Sequence, residues 1–153
     1  FIGKSSKILD EIPSGVKITE EFLTKAEEAK DFAQKTSVDL LAPAVGNIHG
    51  MLKRGKDPAL NIERIREIRK SAGVPLVLHG GSGNSAEDFT DAISAGVSIV
   101  HISTEIRVAY RKGLQLALQE NPDEVAPYKY LKEAVKAVEK VAEEKLKIFN
   151  KIK

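Results

Sequence analysis

Short, largely apolar runs alternate along this chain with longer amphipathic stretches. That alternation constrains the fold more than any other feature. Residues 38–45, 74–78 and 97–102 are such runs, with few polar side chains to face water. A strand that is apolar on both sides is covered on both sides, as in a parallel sheet flanked by helices. Amphipathic stretches lie between and around the runs. Thr24-Lys25-Ala26-Glu27 reads as a capping box opening a helix to about Thr36, with Ala26, Ala29, Phe32 and Ala33 inward. Ile62, Ile65 and Ile68 recur at spacing three in a helix over 61–71, which Gly73 stops. Ser85-Ala86-Glu87-Asp88 opens a helix that Gly96 closes. A helix over 105–119 places Ile106, Ala109, Tyr110, Leu114 and Ala117 inward, and Asn121-Pro122 breaks it. Pro127 precedes a last helix over 128–150, with Leu131, Val135, Val138, Ala142, Leu146 and Phe149 as its stripe.

The class is therefore α/β, with strand and helix alternating three times. Phe1-Ile2-Gly3 reads as the end of a fourth strand, residues 4–21 as a long loop of the kind used for mobile lids, and 51–58 as a loop. Pro43 counts against the strand at 38–45, because proline removes a ladder donor. No linker divides the chain, so 1–153 reads as a single, partial domain. It begins with Phe1 rather than Met, which suggests an excerpt, a processed product or part of something longer.

Composition excludes several functions. With 24 basic and 22 acidic residues, a net charge of +2 leaves no basic excess for nucleic acid. The absence of cysteine excludes a disulfide framework and any thiolate zinc site. No apolar run approaches the roughly 20 residues that span a bilayer, and no signal-peptide pattern opens the chain. A cytoplasmic enzyme or binding module is the expectation.

The chemistry gathers at one end of the strands. His49 follows the first run, His79 the second, and His101 lies in the last turn of the third. Taken singly, each is an ordinary strand-end residue. Together they mark the edge at which α/β folds bind ligands, and neutral imidazole is the commonest metal ligand. His79-Gly80-Gly81-Ser82-Gly83 adds three glycines that admit close backbone approach, a hydroxyl, and a following helix N-terminus. Ser103-Thr104 holds the matching place after the next strand, and two such loops make the usual barrel phosphate site. No nucleotide P-loop pattern is present. Asp10 and Glu11 in the early loop are candidate proton-transfer groups, against the plainer reading of solvated carboxylates. Glu105 suits the N-terminus of its helix, and the Lys-rich last helix reads as a solvated outer face.

Three stretches carry a resemblance. Val38-Asp39-Leu40-Leu41-Ala42-Pro43-Ala44-Val45-Gly46-Asn47-Ile48-His49-Gly50, Pro75-Leu76-Val77-Leu78-His79-Gly80-Gly81-Ser82-Gly83 and Val100-His101-Ile102-Ser103-Thr104-Glu105-Ile106-Arg107 resemble the zinc-dependent class II fructose-bisphosphate aldolases. The resemblance runs in order over essentially the whole chain. It implies the carboxyl-terminal half of a TIM (β/α)8 barrel, about strands five to eight. It also implies Zn2+ or another divalent ion on His49 and His79. The third histidine and a proton-transferring aspartate come from the amino-terminal half. Phosphate groups would lie on Gly50, Gly80, Ser82, Ser103 and Thr104, with a monovalent cation such as Na+ or K+ sharing that site.

Two departures stand out. Family members usually carry asparagine where His101 stands, so His101 is a candidate catalytic residue, either as a hydrogen-bond donor to substrate or as an addition to the metal sphere. The family's Gly-Gly-x-Glu-Asp pattern is replaced by Gly3-Lys4-Ser5-Ser6, which leaves Glu11 as the candidate loop acid. The implied reaction is reversible cleavage of fructose 1,6-bisphosphate to dihydroxyacetone phosphate and glyceraldehyde 3-phosphate, a step of glycolysis. A metal on neutral imidazoles polarises the ketone, so no Schiff-base lysine is needed. Tagatose bisphosphate as substrate and a non-catalytic phosphate-binding half-barrel are the alternatives. A half-barrel leaves sheet edges and an apolar inner face uncovered, so a partner half or a homo-oligomer is expected, and the fragment alone is expected to be inactive.

Overall fold

The computed structural model describes residues 8–10, 19–53 and 57–151. The chain forms two compact units, 1–102 and 103–153, each described by itself.

Among the described residues, all strand pairing in the first unit is parallel, as the alternation predicts. β1 (Ile8–Leu9) pairs with β2 (Met51–Leu52), and β3 (Leu76–Leu78) with β4 (Val97–Val100). In the second pair Leu76 stands opposite Val97 and Leu78 opposite Val100, with a register shift after Leu76. The expected strand over 38–45 shrinks to one parallel bridge between Leu41 and Leu76. Leu41 donates to Pro75 O at 3.1 Å and accepts from Val77 N at 2.8 Å. Two residues later Pro43 has no N–H to continue the ladder. β1 and β2 fall in stretches that read as loops, because two residues carry no periodicity. The strand end expected at 1–3 and most of the loop expected at 4–21 lie outside the described residues.

The helices follow their caps. α1 (Ala26–Thr36) starts later than the capping box predicts. The Glu28 carboxylate, not Glu27, accepts from Lys25 N at 3.1 Å. Thr24 is drawn away from capping because its Oγ1 accepts from Ala44 N at 2.9 Å, tying the helix start to the bridge segment. α2 (Ile62–Ala72) begins at Asn61, whose side chain accepts from Arg64 N at 2.9 Å, a cap worth about 0.5–2 kcal/mol. α3 (Ala86–Ser94) has the expected reciprocal cap: Asp88 N donates to Ser85 Oγ at 3.1 Å, and Ser85 N to Asp88 Oδ2 at 3.0 Å.

The core of this unit is Val45, Ile65, Ile68, Leu76, Leu78 and Phe89, each at most 2% exposed. Burying a ring such as that of Phe89 contributes about 1.5–3 kcal/mol. Phe32, expected inward, is 50% exposed; Ala29 and Ala33 make the buried contacts of α1 instead.

The second unit is a helical hairpin of α4 (Thr104–Glu120) and α5 (Pro127–Phe149). Small residues bring its axes together. A Cβ on Gly113 would lie 2.6 Å from Glu133 O, and Ala117 and Ala134 are buried nearby in sequence. Lys145 Nζ lies 2.9 Å from Glu105 Oε2, with both side chains mostly buried, so Glu105 has a counter-charge as well as a favourable helix position. Tyr110, Val135 and Leu146, expected inward, are exposed, because a seam built on glycine and alanine is too narrow to cover them. No described helix is long and apolar enough to cross a membrane.

Candidate metal and phosphate site

Parallel pairing carries the ends of β3 and β4 to one edge, and the sequence places a histidine after each. His101 N donates to Leu78 O at 2.9 Å and Gly81 N to His101 O at 3.0 Å, so the ladder continues past both strands into the glycine loop. His79 is the middle ring of three. Its centroid is 5.5 Å from that of His49, at an interplanar angle of 53°, and 5.2 Å from that of His101, which meets it edge to face at 74°. The three histidines read from the sequence are thus brought together.

Burial first, and then the neighbouring His101 and His49, hold the His79 imidazole below its ordinary pKa. Its neutral form is therefore favoured, and that is the form a metal takes up.

Two imidazoles on one tetrahedral ion, with N–Zn bonds of about 2.0–2.1 Å, place their ring centres about 5 Å apart. The spacing of His49 and His79 fits that requirement, as does that of His79 and His101. The set is incomplete: among the described residues, no three histidine, aspartate or glutamate side chains are grouped to hold an ion. His101 lies against His79 without closing a three-ligand set.

Two polar residues that sequence reasoning passed over stitch the loops into place. Asn47, two positions before His49, donates through Nδ2 to the carbonyls of His79 and of Gly80, the latter at 3.2 Å. It thereby couples one histidine motif to the other. Asp57 accepts from Leu52 N at 2.8 Å and lies against Gly83: a Cβ there would fall on its carboxylate. Asp88 makes a second tie by accepting from Leu60 N at 3.4 Å. In sequence, a polar residue between Gly46 and His49 was the one available signal for Asn47.

The phosphate candidates divide. Gly50, Gly80 and Ser82 belong to the first unit; Gly50 and Ser82 are buried and Gly80 half-buried. Ser103 and Thr104 open the second unit, where Ser103 is the residue before α4 and Thr104 is 4% exposed. Within the first turn of α3, the Ser85–Asp88 exchange already uses the amides of both residues, and Glu87 adds negative charge. Donors for an anion are therefore better sought in the loop than at that helix end. Asp10 is exposed, with Lys53 Nζ 3.3 Å from its Oδ1, and Glu11 lies outside the described residues.

Known proteins share this arrangement of sequence and fold. Residues 2–153 match the family model described as fructose-bisphosphate aldolase class-II. The sulfofructosephosphate aldolase of Alkalicoccus urumqiensis is 37% identical over 148 residues, which is 97% of this chain and 50% of that protein. The YdjI aldolase from Escherichia coli K12 superimposes with a TM-score of 0.65 at 36% identity, over 82% of this chain and 44% of its own. A fructose-bisphosphate aldolase from Campylobacter jejuni shares the fold with a TM-score of 0.71 at 21% identity, over 85% of this chain and 46% of its own. The chain thus spans about half the length of the relatives it matches.

Proposed function

The chain belongs to the class-II fructose-bisphosphate aldolase family, and we propose from that premise that it is the carboxyl-terminal half of a (β/α)8 barrel that cleaves ketose bisphosphates. The parallel pairing and the half-length match support this reading. The amino-terminal half, with the remaining metal ligand and a proton-transfer group, is supplied from outside these 153 residues. The site of action proposed is the cytoplasm.

His49 and His79 hold a divalent ion through neutral imidazoles. When bound, that ion supplies Lewis-acid polarisation of the substrate ketone. The cradle of Gly50, Gly80 and Ser82 binds the phosphoryl end and so fixes which carbonyl carbon faces the histidines. His101 donates a hydrogen bond to the substrate oxygen nearest His79. Glu11 is the proposed loop acid or base.

The single observation that carries the proposal is the 5.5 Å spacing of the His49 and His79 rings beside a glycine loop. A coupled assay for triose phosphate release from fructose 1,6-bisphosphate by the intact protein tests it. Activity should vanish with a chelator and return with zinc; turnover that is indifferent to chelation contradicts the proposal. One relative favours a second substrate: the protein matched over 97% of this chain is a sulfofructosephosphate aldolase. The same assay with sulfofructose phosphate decides between the two by kcat/KM.

A further inference from the structure

We propose that Asn47 is a positioning residue that turns the Gly80 N–H toward the phosphoryl group of the substrate. This rests on the phosphate cradle proposed above and adds to it the device that orients one of its donors.

In an extended chain, successive carbonyls point to opposite sides. Those of His79 and Gly80 converge on one nitrogen, Nδ2 of Asn47, which donates to both. Gly80 makes the convergence attainable with a φ of +73°. A side chain there would also meet Ile48 O at 3.0 Å and Asn47 Nδ2 at 3.2 Å. The glycine and the asparagine amide are therefore fitted to each other.

A planar trans peptide directs its N–H opposite its C=O. The Gly80–Gly81 peptide is held at both edges, its carbonyl by Asn47 and its N–H by His101 O at 3.0 Å. The His79–Gly80 peptide has its carbonyl on Asn47, so its N–H, that of Gly80, is directed away from Asn47. Rotation of this peptide by half a turn would replace the N–H with a carbonyl oxygen, which repels an anion. Glycine at position 80 makes that rotation easy, and Asn47 opposes it. A carboxamide nitrogen suits the task, because it carries two donors and no acceptor.

The test uses the intact, metal-loaded protein, with inorganic phosphate as the binding probe and fructose 1,6-bisphosphate as the kinetic one. Asn47→Asp keeps the shape but presents acceptors to two carbonyls. Its phosphate dissociation constant and KM should rise about tenfold while kcat changes by less than about threefold, the pattern of lost uniform binding. Metal content per chain should be unchanged. Asn47→Ser, which keeps one donor, should recover part of the loss. If Asn47→Asp does not fold, Asn47→Ala carries the same measurement. Wild-type phosphate affinity and KM in Asn47→Asp, or a fall in kcat at unchanged KM, overturns the inference. Ser82→Ala separates the two readings: if it weakens phosphate while Asn47→Asp does not, the cradle stands and the role of Asn47 falls. If the wild-type protein binds no phosphate, both fall.

Discussion

Asp57 and Gly83 are in direct apposition: the carboxylate of the first fills the space a side chain on the second would need. Asp57 also accepts from Leu52 N at 2.8 Å, so one side chain lies between β2 and the loop after β3. Gly83 has a φ of +92°, which L side chains rarely adopt. Gly83→Ala therefore combines backbone strain with the loss of this tie. It should destabilise by about 2–4 kcal/mol, strain at such positions alone costing about 1–3. Chemical denaturation measures it, and a cost within experimental error would show that the tie is dispensable.

Phe89 supports the glycine loop from below. A Cβ on Gly81 would lie 3.2 Å from the Phe89 ring and from Val100, and 3.1 Å from Ile102. Phe89→Ala should cost about 3–5 kcal/mol as a large-to-small change at a fully buried position. Hydrogen exchange at Gly81 and Ser82 should quicken more than at α1, which packs mainly on α2. Equal quickening throughout would mean the ring supports the unit as a whole and not the loop.

Glu105 and Lys145 hold the helical hairpin at its open end, 2.9 Å apart and no more than 17% exposed. Removing one partner leaves the other charge poorly solvated. Glu105→Ala or Lys145→Ala should each cost about 1–3 kcal/mol, less than the 3–5 of a fully buried pair. The double variant should cost less than the sum. Additive costs in a double-mutant cycle would show that the pair does not interact energetically.

His79 should respond to acid in the metal-free protein. Its folded-state pKa lies below the ordinary imidazole value, so the unfolded chain takes up the proton first as pH falls. The stability this contributes is full above about pH 6.5, the ordinary value, and is lost as pH falls through the folded value. Ring resonances should show His79 protonating at a pH below that of an exposed imidazole, and His79→Gln should flatten the acid limb of the stability curve. A ring that titrates at or above the ordinary value would remove the argument for a preformed neutral ligand.

The helices were legible because caps and spacing are local. The Ser85–Asp88 pair caps α3 as read from the sequence, and Gly73 closes α2 in a left-handed conformation; Pro127, read as preceding the last helix, is its first residue. The run at 38–45 misled because an apolar segment next to a core looks the same whether its backbone pairs or not; only Leu41 makes a bridge. Phe32 and Tyr110 misled because a helical stripe read from one sequence does not reveal how wide the facing partner is. The strand-end histidines were legible from their place after apolar runs. The Asn47 and Asp57 ties were not, because they join residues 26 to 33 positions apart through side chains that look like loop polarity until the chain is folded.

Metal bound to the intact protein tests the central claim most directly. X-ray absorption at the zinc edge, read together with metal content per chain, should show imidazole scattering in the wild-type protein. That signal should fall by one imidazole in His49→Ala and again in His79→Ala, with affinity reduced by at least about tenfold each, as expected for loss of a ligand that binds in its neutral form. An unchanged zinc spectrum and stoichiometry in both variants would contradict the account.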